Sequence, residues 1–126
     1  MPIFTGVVAI VDDDPFMLRA LERTLVAYAY RVKAFASAEE YLEQVDAGQV
    51  VCAVLDVHLG SGISGLDLGE KIRSAGHAMP IVFMSGTEDP TIRARAARIG
   101  CLDFLEKPFP TSRLVEVIMG LDSNRS

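Results

Sequence analysis

Residues 50–68 read VVCAVLDVHLGSGISGLDL, six apolar residues closed by Asp56 and then a loop with glycines at 60, 62 and 65. Those glycines spell G-x-G-x-x-G, the spacing with which a dinucleotide-binding fold rests a pyrophosphate on the next helix's N-terminus. In that fingerprint the first glycine turns the chain directly off its strand. Here Asp56 already occupies the strand end, and a carboxylate at the mouth repels a pyrophosphate unless a cation intervenes. The neighbouring runs decide what the acid does.

Four further apolar runs recur at roughly 25-residue intervals: GVVAIVD (6–12), RVKAFA (31–36), PIVFMS (80–85) and LDFLE (102–106). Between them lie stripes with helical spacing: Leu18, Leu21 and Leu25; Leu66, Leu68 and Ile72; Ile92, Ala96 and Ile99; Leu114, Val117, Ile118 and Leu121. The runs at 6–12, 50–56 and 80–85 are almost wholly apolar rather than alternating, as parallel strands covered on both faces by helices require. Asp14-Pro15 supplies an N-cap and a proline at the first helical position, Ser37-Ala38-Glu39-Glu40 reads as a capping box, and Gly48, Gly76 and Gly100 stand where helices are expected to end. Five such βα units with right-handed crossovers give an α/β fold. It is a single flavodoxin-like, doubly wound (βα)5 sandwich with a parallel five-stranded sheet in the order 2-1-3-4-5.

The bulk numbers fit one such domain. A chain of 126 residues buries roughly two thirds of the surface its unfolded form exposes. Apolar residues make up 50% and charged residues 23%, with no low-complexity tract. The stretch MPIFTGVVAIV lacks a basic leader and is too short to span a bilayer, so it reads as an N-terminal strand. The core is expected over 6–121, with 122–126 (DSNRS at the end of the chain lies across it) a flexible tail or the start of a linker. Cys52 and Cys101 sit in apolar runs and read as two buried, reduced thiols, which suits a cytoplasmic location. A net charge of −5 with no clustered basic face excludes nucleic acid as a partner of this domain alone, and no membrane segment is visible.

In a doubly wound sheet the ligand site lies outside the carboxyl ends of the strands, at the switch point between the first and third. That rule selects Asp12, Asp13 and Asp14 after strand one, Asp56 after strand three, Ser85 after strand four and Lys107 after strand five. Three converging acids repel one another unless a cation compensates. Oxygen-only ligands suit a hard ion such as Mg²⁺, or Mn²⁺ in its place. A lysine supplies a point charge to a phosphoryl group and a serine hydroxyl reaches one of its oxygens, so together these are the parts of a phosphoryl-transfer site. Taken singly, Asp12 to Asp14 could be an N-cap with solvated neighbours, Ser85 a turn residue and Phe104 core; Asp14 is expected to be only the cap.

The motifs VAIVDDDP, AVLDVHL, IVFMSG and DFLEKPF, in that order at strand ends, resemble the receiver domain of bacterial two-component response regulators over residues 6–121. The resemblance implies that Asp56 is the phosphoacceptor, a carboxylate acting as covalent nucleophile. It implies that Asp13, Asp56 and the backbone carbonyl of His58 ligate Mg²⁺, with Asp12 acting largely through water. Lys107 would pair first with Asp56 and then with the phosphoryl group, and Lys107-Pro108 would be cis. Ser85 would turn toward a phosphoryl oxygen and vacate space for the ring of Phe104, repacking the surface of the fourth helix, fifth strand and fifth helix. The implied partners are a histidine kinase or phosphotransfer protein, with a homodimer through that same surface. The implied role is phosphorelay signalling that controls a partner or output domain. Apart from its own phosphorylation and dephosphorylation, the domain is not expected to act as an enzyme. The alternative is a pseudo-receiver or a flavodoxin-like module that binds protein or nucleotide.

Other positions carry smaller expectations. His58 reads as a zinc ligand, a general base or a surface residue; no Cys or second His lies near it in sequence, which disfavours zinc, and the resemblance implies a modest rate-tuning role shared with Thr87. Val115 and Met119 form a second apolar stripe, read as edge-of-core packing rather than a dimer strip. Arg93, Arg95 and Arg98 read as a solvated face, and Phe16 and Met17 could meet a kinase or phosphotransfer helix. The pattern departs from receivers in one loop: Gly60 stands where they carry proline, and Gly65 falls nine rather than eight residues after Asp56. Gly62 is the apparent extra residue. Three glycines in six residues make that loop costlier to order.

Overall fold

The computed structural model describes residues 5–123. Among these the chain alternates strand and helix throughout: β1 (Val7–Val11), α1 (Pro15–Ala27), β2 (Arg31–Phe35), α2 (Ala38–Gln44), β3 (Val50–Asp56), α3 (Gly65–Ser74), β4 (Ile81–Ser85), α4 (Pro90–Ile99), β5 (Asp103–Glu106) and α5 (Thr111–Ser123). All neighbouring strands pair in parallel, in the order β2-β1-β3-β4-β5. The expected fold class and strand order are both present. Residues 1–4 and 124–126, including most of the expected tail and the start of the N-terminal run, lie outside the described residues.

The continuous apolar runs feed two cores by the two-residue alternation of a strand. Val7, Ala9 and Val11 of β1, with Ala53 and Leu55 of β3, face one side, where Tyr41 of α2, Leu66, Leu68 and Ile72 of α3 and Ala96 of α4 cover them. Val8 and Ile10, with Cys52 and Val54, face the other, under Leu21 and Leu25 of α1 and Leu114, Val115 and Ile118 of α5. At the sheet edge β2 exposes alternate residues, with Arg31 and Lys33 in solvent. Burying both faces of β1, β3 and β4 removes about 25 cal/mol of unfavourable hydration per Å² of apolar surface, which fixes the central strands.

Several local expectations are corrected. Gly48 ends no helix: α2 stops at Gln44 with Val45 as its cap, and Gly48 lies in a single 3-10 turn, Ala47–Gln49, whose N–H donates to Asp46. Ser37 does cap α2 by accepting the Glu40 N–H, but the Glu40 carboxylate accepts from Ala36 N–H, so the box is only half formed. A complete capping box instead starts α3, between Ser64 and Asp67. Gly76 and Gly100 do follow helix ends with positive φ, whereas α1 exits through Ala29 at φ 71°. Cys52 is buried but Cys101 only half so. Val115 belongs to the core, while Met119 is 48% exposed and does not pack at its edge. α5 runs to Ser123, two residues into the expected tail, and Asp122 is buried there, accepting a 3.1 Å hydrogen bond from the Tyr30 hydroxyl.

At the amino-terminal end of the sheet, Arg73 of α3 donates to the carbonyls of His77, Met79, Ile99 and Gly100, tying the α3–β4 connection to the end of α4. At the opposite end Gly65 starts α3 so close to β3 that a methyl group on it would overlap the Asp56 carbonyl oxygen. Gly120, within α5, has nothing within 4 Å of the position a Cβ would take. Urea denaturation is therefore expected to show Gly65→Ala losing about 3 kcal/mol or more through forced backbone shifts. Gly120→Ala is expected to gain about 0.5–1 kcal/mol through reduced unfolded-state entropy.

An acidic candidate site bridged by a lysine

The site is assembled where β1, β3, β4 and β5 end. Asp12 follows β1, is fully buried, and has its backbone N–H bonded to Phe35 O of β2 at 3.1 Å. One carboxylate oxygen accepts the Asp14 N–H at 2.9 Å, and Asp14 in turn caps α1, as expected of it, by accepting from Phe16 N–H at 3.0 Å. Asp13, between them, is exposed at the rim. Asp56 closes β3, is 4% exposed, and accepts the His58 N–H at 3.3 Å. The Lys107 N–H bonds Ser85 O at 2.7 Å and fixes the start of the loop after β5; the Lys107-Pro108 bond is cis.

The lysine ammonium donates to both buried acids, to Asp12 Oδ2 at 3.0 Å and to Asp56 Oδ2 at 3.1 Å. Pairing with Asp56 was anticipated, whereas the equal contact with Asp12 has no signal in the sequence. One cation cannot neutralise two carboxylates. Burial, and then the charge of Asp12, push the Asp56 carboxyl up from 3.8 to about 7, against the lowering pull of Lys107. Burial works to lower the Lys107 pKa, but the Asp12 hydrogen bond and the Asp56 and Asp12 charges outweigh it and raise it. Asp12, Asp13 and Asp56 each offer a carboxylate oxygen, and these lie within 4.8 Å of one another. Hard oxygen donors, with a charge excess left over by Lys107, fit a divalent ion such as Mg²⁺.

Ser85, buried at the end of β4, accepts the Thr87 N–H at 3.2 Å, and its hydroxyl lies 3.2 Å from Thr87 Oγ1. Thr87 Oγ1 is 3.4 Å from His58 Nε2, so His58, Thr87 and Ser85 form a polar string along one rim. Phe104 is half-buried, with the Arg93 guanidinium 4.5 Å above its ring centroid. Arg93 also pairs with Glu106 at 2.7 Å, and Arg95 pairs with Asp67 and Glu70 of α3 at 2.6 and 2.7 Å. Arg93 and Arg98 are exposed, as the expected solvated face requires, while Arg95 is partly buried; the ion pairs of Arg93 and Arg95 lie on that face. Phe16 is 85% exposed beside the acids, while Met17 turns partly into the core.

The glycine pattern does not form a dinucleotide cradle. Two of the first three amides of α3 are occupied, Gly65 N–H by Val57 O at 2.9 Å and Asp67 N–H by Ser64 Oγ at 3.0 Å. The Asp67 carboxylate stands in the first turn, where a pyrophosphate would meet like charge. Leu59 is buried in the core and Ile63 packs against it, so the loop is anchored at two points despite its glycines.

The fold and site thus define a doubly wound α/β domain with a lysine-bridged acidic crevice at its switch point. The family model for the response regulator receiver domain matches residues 8–119, and the chain belongs to that family. It is 39% identical over 115 residues to the response regulator protein TmoT of Ectopseudomonas mendocina, covering 90% of this chain and 51% of that one. It is 34% identical over 113 residues to TodT of Pseudomonas putida, covering 90% and 49%. The chain spans about half the length of these curated relatives. A response regulator receiver protein from Pseudoalteromonas atlantica superposes with a TM-score of 0.87 at 26% identity, covering 95% of this chain and 99% of that one. Among the described residues, no helix is long and apolar enough to cross a membrane.

The raised Asp56 pKa has a sign. Unfolded, the group releases its proton near 3.8; folded, it holds it to about 7. Between those values the native state binds more protons, so this group's contribution to stability falls as pH rises and is smallest above 7. Asp56→Asn is expected to stabilise the metal-free domain at pH 8 by on the order of 1–3 kcal/mol. The difference should shrink toward pH 5 in urea titrations with a chelator, and a difference that grows toward low pH would contradict this electrostatic reading.

Proposed function

We propose that this chain is a phosphorylatable receiver that takes a phosphoryl group on Asp56 in a Mg²⁺-dependent phosphorelay. The observation that carries the reading is the Lys107 ammonium held between two buried aspartates at the switch point. An Asp56 oxygen attacks the phosphorus, a new O–P bond forms, and the bond to the donor's nitrogen or acyl oxygen breaks, its electron pair leaving with the donor. Lys107 then shifts from the carboxylate to a phosphoryl oxygen, and Asp12 keeps it aimed at the crevice. Asp13, Asp56 and the backbone carbonyl of His58 would hold Mg²⁺, with Asp12 acting through water; bound there, the ion supplies positive charge against the acids and the phosphoryl oxygens.

The Ser85 hydroxyl, now satisfied by Thr87, turns to the phosphoryl group, and Phe104 leaves its place beneath Arg93 for the space vacated. The surface of α4, β5 and α5 then repacks and controls a partner, a second copy or an output domain. His58 and Thr87 border the acyl phosphate and tune its lifetime. A histidine kinase or phosphotransfer protein is the donor, met beside Phe16, and the reaction belongs to the cytoplasm. Residues 6–121 would carry this activity as one domain. A nucleotide-binding module is the weaker reading because the Gly65 and Asp67 amides of α3 are already bonded and the Asp67 carboxylate stands in its first turn.

Intact mass spectrometry tests this directly. With acetyl phosphate and Mg²⁺ the chain should gain one phosphoryl group, with chelator or in Asp56→Asn none; a folded chain that stays unmodified sinks the proposal. Phe104→Ala should be labelled nearly as fast as the wild type. In hydrogen exchange, however, phosphorylation should alter protection of α4 and β5 in the wild type and much less in the variant.

A further inference from the structure

The loop after β3 is rich in glycine, yet it is held in place from an unexpected direction. Glu39, in the first turn of α2, accepts the Ile63 N–H at 3.0 Å across the loop. Gly62, at φ 99°, lies against the same carboxylate: a Cβ there would come 2.7 Å from the Glu39 oxygen. Upstream, Gly60 has φ 70°, and a Cβ on it would come 3.2 Å from Asp13 Oδ2. The glycines thus let the backbone run between two carboxylates, one on α2 and one at the acidic crevice. Leu59 and Ile63 anchor the loop to the core on either side, and between them lie only Gly60, an exposed Ser61 and Gly62. A glycine-rich segment is expensive to order, and a hydrogen-bond acceptor on a neighbouring helix offsets part of that loss.

We propose that Glu39 is a positioning residue for the divalent-cation site, latching Ile63 so that the Gly60 backbone stays packed against Asp13 and holds that carboxylate toward Asp12 and Asp56. The proposal rests on the acidic crevice being a Mg²⁺ site. Without the latch, Asp13 is a solvent-exposed side chain whose freedom has to be lost when the ion binds; with it, part of that freedom is already gone. The latch acts through an oxygen acceptor, not through net charge, so glutamine at this position preserves it and alanine abolishes it.

Isothermal titration of Mg²⁺ into wild type, Glu39→Ala and Glu39→Gln, with hydrogen exchange at the Ile63 amide, tests the latch. Glu39→Ala is expected to weaken Mg²⁺ binding about fivefold, the ratio a single net hydrogen bond carries, and to lose Ile63 protection; Glu39→Gln should stay close to wild type in both. If the wild type binds no Mg²⁺ at all, the functional reading fails with the latch. If it binds and Glu39→Ala binds equally well, the latch alone is overturned. Equal weakening in both variants also overturns it, since the effect would then come from the lost charge.

Discussion

The ammonium of Lys107, shared between Asp12 and Asp56, is the interaction on which the rest of the structure depends. Two carboxylates buried on adjacent strands would repel strongly in a low-dielectric crevice. A single lysine makes the pair tolerable without neutralising it. The sheet order places β1 beside β3, and the chain after β5 returns across β4 to deliver the lysine. The bond from Lys107 N–H to Ser85 O fixes the height from which the side chain reaches in. The charge left uncompensated gives the crevice a hard, anionic oxygen donor set of the kind that suits a divalent cation.

Much of this was legible in the sequence because its physical causes are local. Wholly apolar runs such as VVAIV and VVCAVL have only one stable destination, the middle of a doubly covered sheet, and an acid at the end of such a run has to be explained. Positions 12 and 56 follow from that rule and 85 and 107 from the strand ends beside them; the structure joins Asp12, Asp56 and Lys107 through side chains and Ser85 to Lys107 through the backbone. Asp13 joins them at the rim.

What the sequence hid is set by contacts between distant side chains or by small differences at helix ends. Ser37 and Ser64 both precede an acid three residues on, yet only Ser64 closes a full capping box. The exit of α1 uses Ala29 in a left-handed conformation that favours glycine, anchored by burial of Tyr30. The Arg93 stack on Phe104 and the Arg95 pairs with α3 depend on how α4 faces β5 and α3, which no spacing reveals. The glycine pattern was misleading in form but informative in place. It marks where backbone passes between Glu39 and Asp13, with Gly60 and Gly62 both at positive φ.

Mn²⁺-induced relaxation of backbone amide signals tests the cation crevice most directly, because it locates the ion without requiring phosphorylation. Broadening at substoichiometric Mn²⁺ should centre on residues 12–13 and 56–58, reach the Gly60 loop, and disappear when excess Mg²⁺ is added. Broadening centred elsewhere on the acidic surface, or none at these residues, would contradict a divalent-cation site at the Lys107 bridge.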